Sequence, residues 1–338
     1  MRRNLRAWSR GFACLAACSV LLASCTSGSS SGPPTSSNSP LILDLNGPLS
    51  DPFFGSVKQG SDAAAKAFGV NYQYIAPANL SNFVPDYTAL IREALARHPA
   101  ALVIGNYVPS AFDPLVKQAT SSKIPVVIMD TGLTSWQSDG AITFVGNDTT
   151  AIGAIAGQEA LAQGIRHLLC INGAPVNPSL GALCNAAKQK MEATGGTLTE
   201  LDIPTADASN PSVVQQDIQG VLASHPEIDG IQGVGGDITP AEEVAALKAA
   251  GKTGSVKAGV PIVSTPALNY IKSGEVAWAL DEQPYLEGFM SLLIAYEFVQ
   301  FGVTPTAPVM TGGLVVDKNN VDAVLAVQRA YPGLRGTN

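Results

Sequence analysis

The sequence predicts an α/β fold whose parallel sheets are covered by helices on both faces, and three observations carry that expectation. From Leu41 onward, short apolar runs alternate with amphipathic stretches, the pattern of repeated strand–helix units. Runs such as Val126-Val127-Ile128-Met129 stay apolar at every position, which suits strands buried on both sides. Residues 41–338 are too many for one small core and suggest two lobes.

In order along the chain, a strand at 41–45 precedes a helix at 56–68, and a strand at 71–75 precedes a helix at 86–97. Apolar runs predict strands at 100–104, 125–129 and 142–145. A helix at 149–162 follows, then a strand at 167–171, a helix at 180–193, a strand at 197–203 and a helix at 213–223. The series continues with a strand at 228–234, a helix at 241–250 and strands at 260–264 and 276–280. Several helices should open on a capping residue followed by proline: Asp51-Pro52, Asn210-Pro211, Thr239-Pro240 and Thr265-Pro266. Proline suits the first helical turn because the N–H it lacks has no partner there. Thr239-Pro-Ala-Glu242 also has the spacing of a capping box. The loops before these helices fall at the carboxyl ends of strands, the edge where open α/β sheets bind ligands.

The first ten residues carry Arg2, Arg3, Arg6 and Arg10, and an apolar stretch over 11–22 leads to Leu22-Ala23-Ser24-Cys25. A basic head, a short apolar middle and small residues before a break make a secretory signal. The apolar run falls short of the ~20 residues that span a bilayer. The cysteine after the small residues resembles the bacterial lipobox, which implies cleavage of residues 1–24 and diacylglycerol on Cys25. Residues 25–40 are rich in serine, glycine and proline and carry no charge, a flexible tether. Within it, Gly28-Ser-Ser-Ser-Gly32 matches the G-x-S-x-G of hydrolases. That motif needs a strand before it and a helix after it, and tether lies on both sides, so the match is chance.

Cys14 and Cys18 leave with the signal and Cys25 takes lipid, so Cys170 and Cys184 remain in an oxidising compartment. A disulfide between them is expected, the alternative being two buried free thiols. Neither C-x-x-C nor H-E-x-x-H occurs, and the histidines are His98, His167 and His225. Zinc chemistry and a serine triad lack support, and no metal or cofactor is expected. Of 20 basic residues four leave with the signal, so sixteen face 27 acidic ones and the net charge moves from −7 to −11. That disfavours nucleic acid and anionic partners.

Six segments in order resemble the type I periplasmic solute-binding proteins, specifically the ribose-binding-like sugar receptors of ABC transporters. They are Asp51-Pro-Phe-Phe54, Ile104-Gly-Asn106, Pro125-Val-Val-Ile-Met-Asp130, Gly146-Asn-Asp-Thr149 with Gly153 and Gly157, His225-Pro-Glu-Ile-Asp-Gly230 before Gly235-Gly-Asp237, and Asp281-Glu-Gln-Pro-Tyr-Leu-Glu-Gly288. The likeness runs from Leu41 to about Val316. It implies two Rossmann-like lobes joined by three crossovers, with ligand between them. The expected division is 41–146 plus 283–303 for the first lobe and 147–282 plus 304–338 for the second. Hinge closure on ligand follows.

A sugar presents apolar C–H faces and a rim of hydroxyls, so it needs a plate and planar polar groups. Phe53 and Phe54 are the expected plate, unless they belong to the core of the first helical turn. Asp130 and Asn106 are the expected rim, although an asparagine there can instead stabilise its turn. Asp51, Asp237 and Glu282 complete the expected ligand set; Asp51 can also cap its helix. Tyr107, Trp136 and Trp278 are further plates or ordinary packing.

The departures from the resemblance carry information. Thr131 stands where sugar receptors usually place arginine, Ser179-Leu-Gly-Ala-Leu-Cys-Asn185 contains no second-lobe arginine, and Gly236 replaces an asparagine. Arg92, Arg97, Arg166, Arg329 and Arg335 all fall outside the mapped pocket. Four carboxylates without a basic partner imply a neutral or cationic ligand.

The expected function is that of a monomeric, lipid-anchored solute receptor on the outer face of the cytoplasmic membrane. It would bind a sugar, polyol or amino sugar, serve an ABC permease and perform no chemistry. A receptor partnering a membrane sensor kinase is the alternative. Gly233-Val-Gly-Gly236 hints at a nucleotide loop, but lacks the third glycine and the ribose-binding acid.

Overall fold

The computed structural model describes residues 39–235 and 238–336. The expected leader, most of the tether, Cys25 and Asp237 lie outside the described residues. Strands β1 (Ile42–Leu45), β2 (Tyr72–Ile75), β3 (Ala101–Gly105), β4 (Val126–Asp130) and β5 (Thr143–Gly146) come first, with helices α1 (Pro52–Phe68), α2 (Phe83–Ala96) and α3 (Pro109–Ser121) between the first four. Next come α4 (Thr149–Ala162), β6 (His167–Asn172), α5 (Pro178–Glu192), β7 (Thr197–Asp202), α6 (Thr205–Ala208), α7 (Pro211–Ser224) and β8 (Gly230–Val234). They are followed by α8 (Pro240–Ala249), β9 (Lys257–Val260), α9 (Thr265–Ser273) and β10 (Trp278–Asp281). The last elements are α10 (Pro284–Phe301), β11 (Val309–Met310), β12 (Leu314–Asp317) and α11 (Val321–Ala330).

These strands make two sheets. One has the order β11-β5-β4-β3-β1-β2 and is parallel throughout. The other has the order β12-β10-β9-β8-β6-β7, parallel except where β12 runs against β10. Strands β1, β3, β4 and β5 are buried at every position, because helices cover both faces and leave no solvated side.

The chain passes between the sheets three times, at 146–149, 281–284 and 310–314. The third passage departs from the expected limit at 303/304. Val309 and Met310 pair with Val145 and Gly146, so the chain adds an edge strand to the first sheet before it leaves. Helix α10 is held to the first lobe by direct backbone contact with α1. A Cβ on Gly60 would sit 2.0 Å from the Tyr285 carbonyl oxygen, and one on Gly288 would sit 2.0 Å from that of Val57.

In the second lobe, a disulfide joins Cys170 on β6 to Cys184 on α5, with Cα atoms 5.9 Å apart and both residues buried. The strand expected at 260–264 lies earlier, at Lys257–Val260. Pro261 has no N–H to give the ladder, so the chain leaves the sheet there and forms a loop. The following helix is capped by Ser264 rather than Thr265: the Ser264 hydroxyl accepts from the Ala267 N–H at 3.3 Å.

Candidate functional site

The carboxyl ends of both sheets open onto one cavity of about 270 Å³. Its first-lobe wall begins at the start of α1. The Asp51 carboxylate accepts from the Phe53 N–H at 2.8 Å, satisfying one of the orphan donors of the first turn. That cap and Pro52 set the direction in which Phe53 and Phe54 leave the helix. Their rings meet edge to face at 5.2 Å, and Phe54 meets Tyr107 in the same way at 5.7 Å. Phe83 continues the cluster, 5.5 Å from Tyr107. The Tyr107 hydroxyl donates to Asn46 Oδ1 at 3.0 Å, so the ring is held at its polar tip. All four rings line the cavity.

Asp130 ends β4 with a φ of +62°. Aspartate tolerates this left-handed region better than most residues, yet it remains an uncommon conformation that the surroundings must enforce. The Thr131 N–H bonds back to the Met129 carbonyl at 2.7 Å, closing a three-residue turn about Asp130. Gly146 on the neighbouring strand makes room, since a Cβ there would lie 2.9 Å from the Asp130 carbonyl oxygen. Asp130 stands on the cavity wall, with 9% of the residue exposed. Burial, then the charges of Glu282 and Asp51, push its pKa well above the usual carboxylate range.

Glu282 lies in the second passage and also faces the cavity. It accepts from Asn147 Nδ2 of the first passage at 2.8 Å. Burial and the Asp281 charge push its carboxyl up to about 7, against that hydrogen bond. Gln283 Oε1 in turn accepts from the Gly312 N–H of the third passage at 3.3 Å. Side chains thus stitch all three passages together. Beneath them Glu287 is fully buried and accepts from the Thr311 hydroxyl at 2.8 Å. Burial first, then the charges of Asp130 and Glu282, raise its pKa well above the usual range.

The second-lobe wall comes from helix starts and the loop after β9. Asn177 caps α5 by accepting from the Ser179 N–H at 3.1 Å, and Thr239 caps α8 with the expected capping box. Pro261, Ile262 and Ser264, where a strand had been expected, form part of this wall instead.

Of the sequence-derived set, Asp51, Phe53, Phe54, Asp130 and Glu282 are brought together on this cavity. Asn106 is not among its lining residues. It is fully buried, and its amide donates to Asp113 Oδ1 at 2.7 Å and to the Ser135 hydroxyl at 2.9 Å. These acceptors tie the loops behind the wall, which is the turn-stabilising role. Asp237 is outside the described residues. Trp278 is a core residue whose indole N–H donates to Gln232 Oε1 at 2.8 Å, and Trp136 packs against the first-lobe core. Sequence reasoning missed Asn177, although Asn177-Pro178 repeats the cap–proline signal that marked Asp51. It also missed Glu287, whose surroundings come from segments distant in sequence.

Two α/β lobes, three stitched passages and a lined cavity at the facing sheet edges define a binding protein that holds a solute between its lobes. The chain belongs to the periplasmic binding protein domain family, whose profile matches residues 45–302. It is similar to the xylose/arabinose-binding protein XylF of Sulfolobus acidocaldarius, with 25% identity over 86% of this chain and 74% of that protein. Among solved structures it is similar to a carbohydrate transporter from Acidothermus cellulolyticus in complex with myo-inositol. There the identity is 27% and the TM-score 0.78, covering 88% of this chain and all of that one. An ABC transporter solute-binding protein from Agrobacterium vitis, bound with α-D-tagatopyranose, shares the fold at 21% identity. Its TM-score is 0.74, with 87% and 97% of the two chains covered.

Proposed function

We propose that this protein is the extracytoplasmic receptor of an ABC importer, taking up a sugar, polyol or amino sugar and presenting it to a membrane permease. The observation that carries the reading is the joint placement of an aromatic floor and buried carboxylates on one cavity between two hinged lobes. Phe53 offers an apolar plate for C–H faces, while Asp130 and Glu282 accept from ligand hydrogens at its edge. Closure brings the second-lobe wall, with Asn177 and Thr239, over a ligand resting on the first lobe. The protein binds its ligand without transforming it. The sugar and cyclitol named for its relatives support this ligand class.

Diacylglycerol on Cys25 holds the receptor at the outer face of the cytoplasmic membrane, and the tether spaces its lobes from the surface. Mass spectrometry of the membrane-extracted protein tests the anchor: an unmodified Cys25 would refute it. A thermal-shift panel of sugars, polyols and amino sugars, followed by calorimetry of each hit, tests the binding role. Small-angle scattering should then show a more compact particle with ligand. A confirmed tight ligand that leaves the scattering curve unchanged would refute closure.

A further inference from the structure

We propose that the carboxylate end of the cavity is a seat for an ammonium group, so that the preferred ligand is an amine-bearing sugar or polyol rather than its neutral parent. This rests on the receptor reading above and narrows its ligand class.

Asp130 carries the argument. It is more than nine-tenths buried and stands on the cavity wall, and no described residue donates a hydrogen bond to its carboxylate. A buried acceptor held in an uncommon backbone turn without a donor calls for one from outside the chain. The groups facing it deepen the need. Asp51 at the start of α1, Glu282 in the second passage and Glu287 on α10 are all carboxylic, and the tyrosines Tyr107 and Tyr87 are the further titratable neighbours. No lysine, arginine or histidine lines the cavity among the described residues. Arg335 pairs with Asp281, and Lys117 pairs with Asp139.

An ammonium group answers each of these features. It supplies three donors and no acceptor, matching the Asp130 carboxylate. It offsets the burial and the mutual repulsion that push the pKa values of Asp130, Glu282 and Glu287 up. The rings of Phe53, Phe54 and Tyr107 line the same cavity and attract a cation through their π faces. A neutral polyol offers hydroxyl donors but no charge. It would leave the carboxylates either protonated or mutually repelling.

Calorimetry on the full-length protein with matched pairs tests the seat: D-glucosamine against D-glucose, D-galactosamine against D-galactose, and scyllo-inosamine against scyllo-inositol. Titrations at pH 7.5 in two buffers of different ionisation heat count the protons exchanged. In at least one pair the amine should bind about tenfold or more tightly than its parent, with protons released. Asp130→Asn should abolish that preference, the amine losing more affinity than its parent, and Glu282→Gln should shrink it. Melting temperatures of both variants near that of the wild type establish that they fold. Binding in which no amine exceeds its neutral parent, or in which the tightest amine binds with proton uptake, would overturn the ammonium seat and leave the receptor reading standing. Absence of binding across the whole panel would overturn both.

Discussion

Asp44 offers the sharpest test of how burial sets the energetics of the first lobe. It lies in the middle of β1, only 1% exposed. Its carboxylate accepts from the Ser61 hydroxyl at 2.7 Å and from the Asn46 amide. Burial pushes its pKa from 3.8 up to about 7; the two hydrogen bonds and Lys58 oppose the shift, and Asp62 adds to it. A rise of about three units corresponds to about 4 kcal/mol between the protonated and ionised fold. The folded chain keeps this proton through a pH range in which the unfolded chain has lost it. Stability therefore falls as pH rises from about 4 to about 7, and it is flat from this group on either side. Asp130, Glu282, Glu243 and Glu287 shift in the same direction, so the wild-type profile alone cannot isolate one residue. The difference between wild type and Asp44→Asn can. Asparagine keeps the size and one acceptor but cannot ionise, so the variant should gain about 4 kcal/mol relative to wild type between pH 4 and pH 8. Urea unfolding at half-unit steps of pH, with each midpoint and slope fitted, gives that difference directly. A constant offset across the range would refute the assignment of the burial cost to Asp44.

Replacing Cys170 and Cys184 together by alanine should cost about 3 kcal/mol, because the disulfide closes a short loop with a sequence separation of 14; urea midpoints check this, and two thiols titrating in the unreduced, denatured wild type would sink it. Gly60→Ala should cost about 1–3 kcal/mol by forcing α1 away from the Tyr285 carbonyl, seen as a lowered melting temperature with secondary structure retained by circular dichroism. Phe53→Ala should weaken binding of a confirmed sugar or amino sugar by roughly tenfold or more through loss of the apolar plate; calorimetry that finds unchanged affinity would remove Phe53 from the site.

Much of the fold was legible because buried parallel strands leave a strong local signature. Ile42–Leu45, Ala101–Gly105 and Val126–Asp130 are short, apolar and bounded by turns, so their limits shifted by no more than a residue. Strand β9 was misplaced for a physical reason. Lys257-Ala-Gly-Val260 pairs through its backbone with little side-chain pattern, whereas Val260-Pro-Ile-Val263 is more apolar yet cannot continue the ladder at Pro261. Helix α10 has no amphipathic face to reveal it, since Leu286, Phe289, Leu292 and Ile294 point round the whole axis. The edge strand β11 is two residues long, and its pairing with β5 exists only in the assembled sheet.

The candidate site divides along the same line between local and distant causes. Asp51 and the two phenylalanines follow from a cap, a proline and the first turn of a helix, all within four residues. Asp130 and Asn106 were chosen by one rule, a polar side chain at the carboxyl end of a strand, and the structure sends them in opposite directions. Asn106 is drawn back by Asp113 and Ser135, seven and 29 residues away in sequence, whose acceptors no local pattern announces. Asp130 meets no such partner among the described residues, and it lines the cavity at the end of its strand. A strand-end rule therefore locates the rim of the cavity but not the side chains that enter it. What decides entry is whether the fold supplies a competing hydrogen-bond partner, and at Asp130 the described residues supply none.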